Sequence, residues 1–210
     1  MALRQRLKTT FILMTTAALL ALLIAFTDSS VKIWPFLILT AIGFAAGWEW
    51  LKACSYHFLS PILWAGWGFL GAGIWGFGKV FLAQGWQGWF IIVALAATAD
   101  TAAYAVGSFL KGPKLCPAIS PGKTWSGFLG ALLSGICISA SINHFFPHFF
   151  PNTSISFLLA LSAQLGDLIE SFLKRRLNIK DTGTFLPGHG GILDRIDSWL
   201  LTGFVYGLWL

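Results

Sequence analysis

Apolar runs separated by short polar segments make up most of the chain. Each run approaches the ~20 residues that a helix needs to cross a bilayer. The runs predict about seven transmembrane helices, near residues 11–26, 33–50, 61–78, 86–106, 125–143, 154–173 and 192–210. The first run also resembles a signal peptide, but no clear cleavage site follows it and further spans do, which favours a retained span. We therefore predict an all-α, polytopic integral membrane protein.

Two of these runs carry features beyond their apolar character. The run at 33–50 ends with Glu49 between two tryptophans, a position at the membrane interface where an acid is tolerated. In the run at 61–78, glycines recur every two or three residues. This spacing predicts close packing of that helix against a neighbour.

Composition supports a membrane protein and limits its ligands. The chain is 56% hydrophobic and only 10% charged, against roughly 25% charged residues in a soluble domain. Residues outside the runs are too few for a separate soluble domain, so we predict one domain over 1–210. The net charge of +6 indicates cytoplasmic loops and anionic phosphate ligands rather than nucleic acid.

The distribution of positive charge predicts the orientation. With the N-terminus in the cytoplasm, the loops at 52–60, 107–124 and 174–191 also face the cytoplasm. Of the fourteen Lys and Arg residues, only Lys32 and Lys79 then lie on the opposite side. The positive-inside rule favours this arrangement strongly.

The polar end of the sixth predicted span has a regular spacing. Gln164, Asp167, Ser171 and Lys174 are three, four and three residues apart, which places them on one helical face. Their proximity to the basic loop at 174–191 makes this face a candidate site, since charge at membrane depth usually marks function.

A second pair of acids begins the seventh predicted span. Asp194 and Asp197 are three residues apart and adjoin the same loop as Asp167, so the two faces can converge. Hard carboxylates near a membrane surface suit Mg²⁺, which completes its shell with water and substrate phosphate. Alternatively, these acids form structural salt bridges with Lys174, Arg175 and Arg195.

The loop between these spans contains Pro187-Gly-His-Gly-Gly191. Its glycines permit close backbone approach and can direct amide hydrogens at phosphate. Basic residues beside the loop strengthen this interpretation. His189 remains open as a general base, a phosphate donor or a turn residue.

The segment Ser120-Pro-Gly-Lys-Thr-Trp125 is similar to a shortened phosphate loop, but it lacks the full Gly-x-x-x-x-Gly-Lys-Ser/Thr pattern and follows no predicted strand. This departure disfavours a Walker-type NTPase. Lys123 and Thr124 still have the chemistry to hold a triphosphate.

Together, these motifs resemble those of the phosphatidate cytidylyltransferases, the CDP-diacylglycerol synthases. The signature reads Ser-x-apolar-Lys-Arg, four residues, Lys-Asp, then Pro/Gly-x-His-Gly-Gly and Asp-Arg-x-Asp. The similar regions cover about residues 100–198, the expected catalytic core. The chain departs from the family pattern at Gly107-Ser108 and at Ser126. The signature positions are Ser171, Lys174, Arg175, Lys180, Asp181, His189, Gly190, Gly191, Asp194, Arg195 and Asp197.

The resemblance implies transfer of CMP from CTP to phosphatidate, giving CDP-diacylglycerol and diphosphate. It implies Mg²⁺ or another divalent cation held by Asp167 and Asp194, with Asp197. It also implies catalytic roles for Asp167, Lys174, Asp194, Arg195 and His189. The implied substrate-binding residues are Ser120, Lys123, Thr124, Ser171, Arg175, Lys180, Asp181, Gly190 and Gly191.

Two other functions remain open at this point. A CTP-dependent lipid-alcohol kinase would release CDP instead of diphosphate, and a transporter would use the acids as an ion path. The acids cluster at one membrane face, which disfavours the transporter. We expect the protein to lie in a bacterial inner (plasma) membrane, with its active site facing the cytoplasm. The sequence leaves acyl preference and oligomeric state open, a homodimer included.

Overall fold

The computed structural model describes residues 33–55, 60–185 and 190–210. The predicted first span at 11–26 and His189 lie outside the described residues. The elements in chain order are α1 (Ile33–Ala53), α2 (Pro61–Leu110), β1 (Lys114–Cys116), β2 (Ser120–Thr124), α3 (Trp125–Phe145), α4 (Thr153–Arg176) and α5 (Leu193–Trp209).

Helix α2 contains two of the predicted spans. Gly85 interrupts it with φ 62° and ψ −145°, a conformation that only glycine adopts readily. The stretches on either side, 61–84 and 86–110, each exceed the ~20 residues needed to cross a bilayer. The two predicted helices near 61–78 and 86–106 are thus present, joined end to end by one kinked residue.

The helical membrane architecture is confirmed. Among the described residues, four helices are long and apolar enough to cross a membrane: α1, α2, α3 and α4. Helix α5 occupies the seventh predicted run. The total of seven spans stays a prediction, because the first run lies outside the described residues and α5, with 17 residues, is not among these four helices.

The polar loop at 107–124 differs from the prediction. Its first residues continue α2 to Leu110, and the remainder forms an antiparallel hairpin in which β1 pairs with β2. Ser120-Pro-Gly-Lys-Thr124 is therefore itself a strand leading into a helix. Pro and Gly are depleted in strands, so composition gave no signal for this one.

Close packing of the glycine-rich helix occurs only on part of its surface. A Cβ at Gly76 would lie within 2.5 Å of Phe204 Cα on α5, and one at Gly207 would lie 3.0 Å from Gly76 Cα. The two backbones approach so closely that a side chain would separate them. At Gly71 no described atom would lie within 4 Å of an added Cβ. The glycine spacing thus predicted the contact but not which glycines make it.

The polar segments gather at one end of the helices. Glu49, near the end of α1, accepts a hydrogen bond from Ile192 N just before α5. Arg175, near the end of α4, donates to Ile119 O in the hairpin turn. The opposite end is closed by Gln87 Nε2, which donates to Phe149 O at 2.8 Å. The described candidate residues therefore lie toward one end of the molecule.

Candidate active site

A lysine from the hairpin reaches the polar face of α4. Lys123 Nζ lies 3.0 Å from Asp167 Oδ2. It also donates to the backbone and side-chain oxygens of Gln164, at 3.2 and 3.1 Å. The hairpin is held at the start of α3 because the Thr124 hydroxyl accepts from Gly127 N at 3.1 Å. The predicted shared face of Gln164 and Asp167 is confirmed by their common lysine.

The same network extends to α2 and α5. Gln164 Nε2 donates to Asp100 Oδ1 at 3.0 Å, and Ser198 Oγ donates to Asp100 Oδ2 at 3.0 Å. Asp100 and Ser198 were not among the predicted site residues. A carboxylate within the apolar run of a span was the signal that could have identified Asp100, because such a charge needs buried partners. Ser198 gave no signal.

Carboxylates are concentrated next to this network. Asp167 Oδ1 accepts from Ser171 Oγ at 3.1 Å, and Asp197 Oδ1 accepts from Ser198 N at 2.7 Å. Ser198 links Asp197 to Asp100, because its hydroxyl donates to Asp100 Oδ2 while its amide donates to Asp197. Such an arrangement is stable only with compensating positive charge nearby.

Lys174 neutralises a second group of acids. Its Nζ lies 2.5 Å from Glu170 Oε2 and 2.9 Å from Asp194 Oδ1. Both Lys174 and Glu170 are buried, Glu170 completely. The alternative of structural salt bridges is thus observed for Lys174 with Asp194. Contact between Lys174 and a phosphate would require the lysine to exchange a carboxylate partner.

Asp194 holds the loop that precedes α5. Its carboxylate accepts from Thr182 N at 3.2 and 3.0 Å and from Gly191 N at 2.8 Å. Gly190 has φ 87°, and a Cβ there would lie 2.9 Å from Asp194 Oδ2. The glycines therefore allow a carboxylate to approach the backbone. The expectation that the loop directs its amides at phosphate does not hold for Gly191 N, which is bonded to Asp194.

A residue outside the predicted site completes this loop. Glu49 Oε2 accepts from Ile192 N at 2.6 Å and from Leu193 N at 3.4 Å. Only 6% of Glu49 is exposed. The sequence predicts a position at the membrane interface for this acid, and the structure adds that the protein buries it against the start of α5. No sequence spacing relates it to the loop.

The remaining predicted residues lie at the edge of the network. Arg175 donates through Nε to Ile119 O at 3.1 Å and through Nη1 to Ile179 O at 3.0 Å, so it ties the hairpin turn to the loop after α4. Ser120 is half-buried at the start of β2. The exposed residues at this edge are Lys180, Asp181 and Arg195.

The donor chemistry of the site suits a hard cation. Asp100, Asp167 and Asp197 bring carboxylate oxygens to one region, the ligand type that Mg²⁺ takes. Within the part of the chain that the structure describes, no three His, Cys, Asp or Glu side chains are arranged as a ligand set. Lys123 is paired with Asp167, and Lys174 is paired with Asp194, so two of the predicted metal ligands already have a cation as partner. The assignment of a metal to Asp167, Asp194 and Asp197 therefore stays a prediction.

Comparison with known proteins agrees with these motifs. A model of the cytidylyltransferase family matches residues 80–210. The chain is 42% identical over 138 residues to the phosphatidate cytidylyltransferase of Rickettsia bellii. It is 41% identical over 111 residues to that of Brucella suis and 44% identical over 115 residues to that of Staphylococcus aureus.

These similarities cover part of each protein. They include 58%, 51% and 53% of this chain, in the same order. The matched segments make up 59%, 40% and 43% of the relatives' own lengths. Helix α1 and Glu49 lie outside residues 80–210.

Proposed function

Because the chain belongs to the cytidylyltransferase family, we propose that it transfers CMP from CTP to phosphatidate, giving CDP-diacylglycerol and diphosphate. The observation that supports this most directly is the meeting of Lys123 and Asp167 at one end of the helices. It joins the Ser120–Trp125 segment to the acidic face of α4, as a site for a nucleotide beside a lipid requires. The names of the similar proteins agree with the proposal.

The reaction needs positioning and charge neutralisation. A phosphate oxygen of phosphatidate attacks the α-phosphorus of CTP, a new P–O–P link forms, and diphosphate leaves with the electron pair of the broken bond. The attacking phosphate is already ionised at neutral pH, because its second pKa is near 6. No general base is therefore required, and the proposal leaves His189 to contact phosphate or shape the loop.

The basic side chains divide this work in the proposal. Lys123 contacts the triphosphate from the hairpin, with Ser120 and Thr124 shaping the strand beside it. Arg195 and Lys180, exposed at the same end, face incoming phosphates. Positive groups fixed before substrate binds stabilise charge in the transition state without reorganisation.

Asp167 and Asp197 are the residues that would hold Mg²⁺, with Asp194 joining if Lys174 moves to a phosphate. When bound, the ion neutralises phosphate charge and polarises the α-phosphate. Asp100 then acts through Gln164 and Ser198, whose positions it fixes.

The location follows from the same proposal. The protein is a membrane protein, and we place the site at the cytoplasmic face of a bacterial inner membrane, where CTP is available. Phosphatidate would enter from the cytoplasmic leaflet with its chains between helices. This agrees with the bias of positive charge toward the loops at that end.

Purified protein supplied with CTP, phosphatidate and Mg²⁺ tests the proposal. We expect diphosphate release that requires both substrates. Release of CDP with phosphorylation of a lipid alcohol would instead indicate a kinase. Ion flux in liposomes without nucleotide, together with no diphosphate, would indicate a transporter.

A further inference from the structure

The end of α1 contacts the loop that carries the signature residues. Glu49 Oε2 lies 2.6 Å from Ile192 N and 3.4 Å from Leu193 N, the amides at the start of α5. A carboxylate is favoured there because the amides at a helix N-terminus carry partial positive charge. This end of α5 is therefore occupied by a side chain of the protein itself.

We propose that Glu49 is a positioning residue for the reaction, fixing the backbone at Gly183 and at residues 190–192, together with the first turn of α5, so that Asp194 and Asp197 keep their direction. The inference rests on the proposed function for its consequence in catalysis. Glu49 itself is buried and contacts backbone, so it acts through other residues. It also lies outside the segment that matches the family.

The fit between the loop and Glu49 is close on two sides. A Cβ at Gly183 would lie 2.5 Å from Glu49 Oε1, and one at Gly191 would lie 2.6 Å from Glu49 Oε2. The backbone at both glycines thus lies directly against the carboxylate. Side chains at either position would force the acid and the loop apart.

The loop is held between two carboxylates. Asp194 accepts from Thr182 N and Gly191 N on one side, and Glu49 accepts from Ile192 N on the other. Gly191 and Ile192 are consecutive, so a shift at one amide moves the other. Loss of Glu49 would release this pair of amides and with them the carboxylate of Asp194, which Lys174 contacts.

Three substitutions of Glu49 distinguish the effect of side-chain length from that of charge. Glu49→Gln keeps an oxygen that can accept from Ile192 N. Glu49→Asp keeps the charge but is one methylene too short, and Glu49→Ala removes the acceptor. Phe36→Leu is the control on the same helix, because the Phe36 ring packs edge-to-face on Phe81 of α2, near the opposite end of α1 from Glu49.

The full chain is purified in detergent, and kcat and KM for CTP and phosphatidate are measured per folded molecule. We expect kcat to fall about tenfold or more in Glu49→Asp and Glu49→Ala, since small misplacements of reacting groups have large effects. Glu49→Gln keeps an acceptor for Ile192 N and so keeps the groups in place, and its kcat should stay within about threefold of wild type. Phe36→Leu should lower Tm and leave kcat unchanged. Wild-type kcat in Glu49→Asp, or equal losses in Glu49→Gln and Glu49→Ala, would overturn the inference.

Hydrogen–deuterium exchange provides a readout that does not depend on the reaction. Exchange at 190–194 should accelerate in Glu49→Asp and stay at the wild-type rate in Phe36→Leu. Unchanged exchange in Glu49→Asp would contradict the positioning role. A wild-type protein that is inactive with CTP and phosphatidate, yet shows this exchange pattern, would refute the proposed function and leave the positioning by Glu49 supported.

Discussion

At the scale of single residues, the site is built from lysines that each contact more than one polar group. Lys174 lies between Glu170 and Asp194, and Lys123 contacts both Asp167 and Gln164. A buried charge is tolerated only with such partners. The residues therefore act as units, and removal of one leaves the others uncompensated.

Replacement of Lys174 by methionine should destabilise the protein. Two buried carboxylates would lose their shared cation, and breaking a buried ion pair by removing one partner costs ~3–5 kcal/mol. The free energy of unfolding in detergent measures the effect. Lys114→Met, at an exposed position of the hairpin, is the control. Equal stability of the two variants would contradict a structural role for the Lys174 contacts.

Asp167→Asn should reduce activity without unfolding the protein. Asparagine keeps the shape of the side chain and can accept from Ser171. It removes the negative charge that faces Lys123 and that we propose binds Mg²⁺. Loss of such electrostatic stabilisation lowers the rate by about 10²-fold or more. Diphosphate release against Mg²⁺ concentration is the measurement, and chelation of the wild type should have the same effect reversibly. Near-normal activity of the folded variant would remove Asp167 from the metal site.

Local spacing predicted part of the site. Gln164, Asp167, Ser171 and Lys174 share a face because three and four residues make a helical turn. The contacts that join elements could not be predicted in this way. Lys123 and Gln164 are 41 residues apart, and Glu49 and Ile192 are 143 apart. Their pairing depends on how the helices pack against one another, and the periodicity of a single segment gives no information about that packing.

At the scale of elements, the length of apolar runs was sufficient to locate the helices. Each described helix begins within a residue or so of its predicted start. For two of them the start has a local signal, Pro61 at the first position of α2 and the capping side chain of Asn152 before α4. The β-hairpin was not predicted, because the pairing of β1 with β2 defines its strands and its composition does not indicate them. The role of Glu49 in holding the start of α5 was not predicted, because its partner amides belong to another element.

The contact between α2 and α5 allows a matched pair of substitutions. Gly76→Ala should lower Tm, because its Cβ would lie within 2.5 Å of Phe204 Cα and the helices would have to separate. Gly71→Ala should leave Tm unchanged or raise it, since no described atom is near and alanine favours a helix by about 1 kcal/mol over glycine. Thermal unfolding in detergent measures both. A lower Tm for Gly71→Ala than for Gly76→Ala would contradict the packing.

At the scale of the whole molecule, the polar segments lie at one end and the charge bias predicts that this end faces the cytoplasm. Asn178 and His148 are both exposed, near opposite ends of α4. We expect a cysteine at Asn178 to react only from the cytoplasmic side and one at His148 only from the other. Membrane-impermeant labelling of a chain lacking Cys54, Cys116 and Cys137 tests this. Reaction at Asn178 from the outside alone would contradict the orientation.

Transfer of label from CTP into lipid distinguishes cytidylyl transfer from phosphoryl transfer. Purified protein is incubated with phosphatidate, Mg²⁺ and CTP labelled at either the α- or the γ-phosphate, and the lipid is extracted. Transfer of CMP predicts label in the lipid from α-labelled CTP only, with the γ-label recovered as diphosphate. Label in the lipid from γ-labelled CTP would contradict transfer of CMP to phosphatidate. So would the absence of label in the lipid from both forms of CTP.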